Sequence, residues 1–141
     1  MGFRTFLRNL PLRATTGAFV LHSGLEKWGG DAETAKAMHG MASNALPQFK
    51  DMEPTKFFKL LSAGEIALGA ALLAPFVPRF LAGAGLTAFS ATLLTVYYRT
   101  PGMRKPNSIW PTPQGLGVSK DVFMLGAGAA LVLDAVVHPK D

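Results

Sequence analysis

A lone acidic side chain, Glu65, interrupts an apolar stretch that runs from about Phe57 to Val77. It lies about ten residues into that stretch, roughly 15 Å along a helix. An ionised carboxylate so far from either end of a membrane helix is costly unless it is paired or protonated. His22 sits six residues before Trp28, just as Glu65 sits six residues after Lys59. If Trp28 and Lys59 share a membrane surface, His22 and Glu65 reach similar depth. A carboxylate beside an imidazole can pass protons to and from a ligand such as a quinol; the same pair can also be an interhelical hydrogen bond that fixes packing. Glu26 follows His22 by four residues, on the same helical face, and Lys27 lies next to it. With Lys56 and Lys59 approaching from the second stretch, this end is either a structural charge cluster or an entrance that attracts an anionic ligand.

Other polar residues have structural readings. Arg13 and Asp134 are expected near the same ends of the first and last helices, where pairing would lower the cost of both charges. Asp121 beside Lys120 suits a helix start. Met38, His39 and Met41 are a weak candidate site for a soft metal such as reduced copper. His138 lies in the tail, so haem ligation by paired histidines has no support. With no Cys, a thiolate metal site, a catalytic thiol and a disulfide framework are excluded. No phosphate-binding Gly-rich motif or nucleophile-base set is recognisable, so a catalytic set is not assigned and no cofactor is intrinsic.

These residues need apolar helices to hold them. The 141 residues are 49% hydrophobic and only 16% charged, with positive mean hydropathy. Soluble domains carry about a quarter charged residues. Phe80–Tyr98 contains no charge and closes on two tyrosines, as interfacial helix ends often do. The expected architecture is all-α: one integral membrane domain over residues 1–141, an antiparallel four-helix bundle with spans at about 12–28, 57–77, 80–98 and 121–137. Gly and Ala recur within the spans (Gly64, Gly69, Gly83, Gly126, Gly128), which lets helices approach closely.

The connections carry further information. Within the first, DAETAKAMHGMASNAL has helical composition and predicts an amphipathic helix on the membrane or over the bundle mouth. The third, from Arg99 to Ser119, is rich in Pro and Gly and predicts an irregular ordered loop, with Trp110 as an interfacial anchor. The N-terminal stretch has signal-like charge, but His22, Glu26 and Lys27 and the lack of a small-x-small site favour an uncleaved span. Arg4, Arg8 and Arg13 favour cytoplasmic termini, whereas Arg99, Arg104 and Lys105 argue the other way. Net charge is +5, but the basic residues are dispersed, so the bilayer is the expected partner and nucleic acid is not.

VLHSGLEKWGG (Val20–Gly30) resembles the first-helix signature of the DoxX family, with Ser23 inserted between His22 and Gly24. SAGEIALGAALLAPFVPRF (Ser62–Phe80) is similar to that family's second helix, and ASNALPQF (Ala42–Phe49) to the stretch between them. The resemblance implies a small four-helix protein of the prokaryotic plasma (inner) membrane. It also implies work beside redox enzymes: some members are associated with thiosulfate-to-quinone electron transfer, others with membrane complexes containing a superoxide dismutase and a sulfurtransferase. Lacking Cys, this chain cannot itself form a persulfide. The expectation is an accessory membrane subunit of an oxidoreductase assembly, with quinone as candidate ligand and His22, Glu65, Glu26 and Lys27 as candidate ligand- or proton-handling residues. Its partners would be other membrane or redox proteins, or a second copy of itself. The alternative is a small proton-coupled transporter in which Glu65 alternates between proton and substrate.

Overall fold

The computed structural model describes residues 2–140, and the elements among them are helical. α1 runs Phe3–Trp28, α2 Ala32–Ala45, α3 Pro54–Leu73, α4 Arg79–Arg99, α5 Leu116–Ser119 and α6 Asp121–Val137, with a 3-10 turn at Pro47–Phe49 after α2. α4 and the stretch Leu116–Val137 are long and apolar enough to cross a membrane. Large apolar side chains point outward from the long helices, among them Phe19, Leu60, Leu81, Phe123 and Leu133. Exposed apolar surface on that scale marks an interaction surface.

α1 starts nine residues earlier than the expected span and continues through Pro11. Its buried residues, Thr5, Asn9, Arg13, Gly17, Val20 and Gly24, recur every three or four positions and so form one inward stripe. The extension before Leu12 is held by that stripe: Asn9 Nδ2 donates to Asp134 at 2.9 Å. α3 starts at Pro54, whose missing N–H suits a first helical position. It stops at Leu73, short of the expected Val77. Pro75 has no N–H to offer the ladder and disfavours helical backbone at Ala74.

α1 packs along α3, and α4 along α6, with lighter contact between the two pairs. Residue numbers rise along one helix of each pair as they fall along the other. Gly17 meets Leu72 and Leu73, Gly24 meets Glu65 and Ile66, and Gly30 meets Phe58. In the second pair Gly83 meets Leu131, and Gly128 meets Thr87. Gly69 shows why these seams need glycine: a Cβ there would lie 2.5 Å from the Leu21 nitrogen. Close backbone approach is how helices associate where lipid removes the hydrophobic drive. A small core of Val20, Leu72, Ala82, Leu86 and Leu131 joins the pairs.

Asp31 caps α2, accepting from the Thr34 N–H at 2.8 Å. α2 lies against α3 and α4, and Arg99 donates to its terminal Ala45 carbonyl at 2.8 Å. The third connection is ordered, as its composition suggested. The Tyr97 hydroxyl donates to the Ile109 carbonyl at 2.7 Å, Arg104 stacks over Tyr98, and Trp110 is exposed. Its last residues form the short helix α5, where an irregular chain was expected.

Candidate functional site

The expected pairing of Glu65 with His22 does not occur. Glu65 is buried on α3, only 4% exposed, and its Oε2 lies 3.1 Å from Lys27 Nζ. Lys27 also donates to Ser23 Oγ at 2.7 Å. Side chains on a helix lean toward its N-terminus. Lys27, near the C-terminal end of α1, therefore reaches back one turn along the inward stripe, past Ser23 and into the interior. Rise alone placed His22 at the depth of Glu65, but rotation places it elsewhere. His22 is two residues from both Val20 and Gly24, about 200° around the helix from the stripe. It points outward and meets Glu26 at 3.2 Å, with both side chains about 70% exposed.

Lys27 and Glu65 face a cavity of about 190 Å³. Ser23 and Asp121 are the other polar side chains that line it; Phe19, Leu61, Phe89, Leu93 and Met124 supply apolar walls, and Met38 of α2 closes one side. The Ser62 hydroxyl, one turn from Glu65, donates to the Gly24 carbonyl at 2.6 Å and locks α3 to α1 beside the ion pair. Asp121, expected to be a solvated helix start, is instead half-buried and lines the same cavity. The site thus sets two carboxylates against one ammonium. Fully ionised, it carries excess negative charge, and one added proton neutralises it. Such a set can offer an N–H donor to a ligand oxygen, accept from a ligand hydroxyl, and hold or release a proton.

The opposite end holds a second charged cluster, and it also corrects an expectation. Asp134 does not meet Arg13. Its carboxylate takes Arg8 at 2.9 Å, Asn9 at 2.9 Å, Arg79 at 3.3 Å and His138 at 3.3 Å. Arg79 also donates to the His138 carbonyl, tying α4 to the end of α6. Arg13 serves the end of α3: it donates to the carbonyls of Ala71, Leu72 and Ala74 at 2.8 Å each and of Val77 at 3.0 Å. A helix terminus leaves such carbonyls without intrahelical partners, and a cation there also suits the helix dipole. Both arrangements read as structural.

The three weak metal candidates separate. His39 Nε2 lies 2.7 Å from the Phe49 carbonyl and its ring edge packs on Phe57, whereas Met38 and Met41 line apolar space between α2, α3 and α4. Among the described residues, no three His, Cys, Asp or Glu side chains are grouped to hold a metal ion. Outside the membrane helices, the Asp31 carboxyl is held below its usual range, chiefly by the backbone N–H of Thr34.

Sequence reasoning named Lys27 as a candidate ligand- or proton-handling residue but gave Glu65 to His22, and it left Asp121 out of the site. The signal for Lys27 was present in the spacing Arg13, Gly17, Val20, Gly24, Lys27, a continuous helical stripe of three- and four-residue steps. Asp121 had no such signal, because α6 contacts α1 only lightly and the loop before α5 sets its approach.

A family model described as DoxX matches residues 9–98, more than half of the chain. The match spans α1 to α4 and includes Lys27 and Glu65; Asp121 lies beyond it. No curated protein and no solved structure matches the chain.

Proposed function

The chain belongs to the DoxX family of small integral membrane proteins, and from that premise we propose that it is an accessory membrane subunit of an oxidoreductase assembly that holds a quinone or quinol ring between Lys27, Glu65 and Asp121. The observation that carries the reading is the buried Lys27–Glu65 pair, which faces a cavity with apolar walls and a second carboxylate. In this reading α1, α3, α4 and α5–α6 form an antiparallel transmembrane four-helix bundle in a prokaryotic inner membrane. The termini face the cytoplasm, and α2 covers the cavity near the outer surface.

The donor set suits such a ring. A bound quinone supplies two-electron, two-proton redox chemistry. Lys27 is the donor to a ring oxygen, with Ser23 fixing the ammonium. Glu65 and Asp121 hold the protons exchanged at that oxygen. Leu61, Phe89 and Leu93 exclude water, which strengthens each polar contact. In this reading a partner protein would carry the flavin, haem or metal centre that exchanges electrons with the ring.

Purification of the native complex in a mild detergent, with absorption spectra and mass spectrometry of its components, tests the assembly claim. A co-purifying redox protein is expected, together with turnover that falls when Glu65→Gln is introduced without loss of the complex. A homodimer free of redox partners would overturn the reading and make proton-linked transport through Glu65 the next activity to assay.

A further inference from the structure

A second cavity, about 180 Å³, adjoins the first between α2, α3 and α4. Its lining is almost wholly apolar; Met41, Ala42, Phe49, Phe57 and Val96 contribute to it, and Thr92 is its single hydroxyl. Four residues, Met38, Leu61, Phe89 and Leu93, line both cavities. The two spaces are therefore neighbours across a shared wall that includes a methionine, the most adaptable apolar side chain. At the far side, Met41 and Thr92 are exposed, so the second cavity opens to the surface there. The two cavities thus follow one another along one path from the exposed mouth under α2 to the charged cluster of Lys27, Glu65 and Asp121, divided by that shared wall.

We propose that this second cavity is a binding subsite for the hydrocarbon tail of the ligand whose polar ring occupies the first; the inference rests on the ring-binding reading above. Three observations support a tail there and argue against a water-filled vestibule. An apolar cavity of about 150 Å³ stays dry and accepts a benzene-sized group, so one of about 180 Å³ suits the first isoprene-like units of a membrane quinone. Adjacency to the polar cavity fixes which end of an amphiphile lies where. The exposed mouth leaves room for the rest of a long tail to continue into lipid. The subsite also gives α2 a purpose, since Met38, Met41 and Ala42 form one wall of it. The ligand class is accordingly a long-tailed amphiphilic ring, and a free polar ring would use only half of the path.

The test compares the affinity of nanodisc-embedded protein for two quinones with the same ring, one without a tail and one with several isoprene units, each expressed per mole of lipid. Ala42→Phe fills the subsite from α2, and Thr92→Trp fills it from α4. The wild-type protein is expected to bind the tailed form at least about tenfold tighter. Each filling variant is expected to remove that preference while keeping tail-free ring affinity within about threefold. Equal affinity for both forms in the wild type, or a preference that survives both substitutions, overturns the tail subsite and leaves ring binding standing. Failure of both quinones to bind overturns the ring-binding reading, and the tail subsite falls with it.

Discussion

Replacing Lys27 by Met keeps much of the apolar stem but removes the ammonium that lies 3.1 Å from Glu65. The carboxylate left behind is 4% exposed, and Lys27 is the charged side chain paired with it. At that separation the attraction is about 5 kcal/mol for an effective dielectric near 20. Desolvation of both groups offsets much of it, so the pair is a weak source of net stability. Removal of one partner is different, because it strands a buried charge and costs roughly 3–5 kcal/mol. Lys27→Met is therefore expected to destabilise the protein by about that amount, and Glu65→Gln by less, since Gln stays polar without charge. The double variant should recover most of the loss, with a coupling energy of about 2–3 kcal/mol. Reversible unfolding of all four proteins in mixed micelles measures this cycle directly. Additive losses, with coupling below about 0.5 kcal/mol, would refute the assignment of Lys27 as the partner of Glu65. A companion cycle of His22 with Glu65 should give no coupling, because His22 points outward to Glu26.

Other predictions follow from the helix seams and termini. Gly69→Ala places a methyl group 2.5 Å from the Leu21 nitrogen and should cost about 1–3 kcal/mol, whereas Gly64→Ala, with nothing within 4 Å, should be neutral or slightly stabilising in the same unfolding assay. Arg13→Met strips four carbonyls of their donor and should cost roughly 3 kcal/mol; Arg13→Lys should restore little, because one ammonium cannot span the carbonyls that the guanidinium fork reaches. The Asp31 carboxyl is depressed in the folded protein by the Thr34 N–H. Its contribution to α2 is thus fully present above the unfolded value of about 3.9 and lost as pH falls through the lower folded value. Protection of the amides in the first turn of α2, relative to their intrinsic exchange, should fall over that acidic window in the wild type, and Asp31→Asn, which caps without titrating, should hold that protection constant.

Much of the fold could be read from apolar runs and their punctuation. α4 was located to within one residue at each end, because its uncharged run ends sharply at Arg79 and Arg99, and Asp121–Val137 was located to the residue although Asp134 interrupts it. α2 was visible from its composition. The early start of α1 was hidden, since Pro11 suggests a break when the contact that holds the first turns, Asn9 to Asp134, spans nearly the whole chain. The candidate site divided along the same line. Glu65 stands out because a charge within an apolar helix is expensive. Its partner depended on helix rotation and on the reach of a lysine, so matching depths alone selected His22. Arg13 and Asp134 were expected to pair with each other, because counting charges at one end overlooked the carbonyls of α3 and the arginines Arg8 and Arg79.

Quinone content bears most directly on the ring site. The wild-type protein, Lys27→Met and Glu65→Gln would each be extracted from membranes with their native lipid, and bound quinone quantified by mass spectrometry against protein. The expected result is stoichiometric quinone in the wild type and a loss of most of it in both variants, with the helical content of all three unchanged. A wild-type protein that holds no quinone and takes up none on titration, or equal quinone in all three proteins, would contradict a ring site at Lys27 and Glu65.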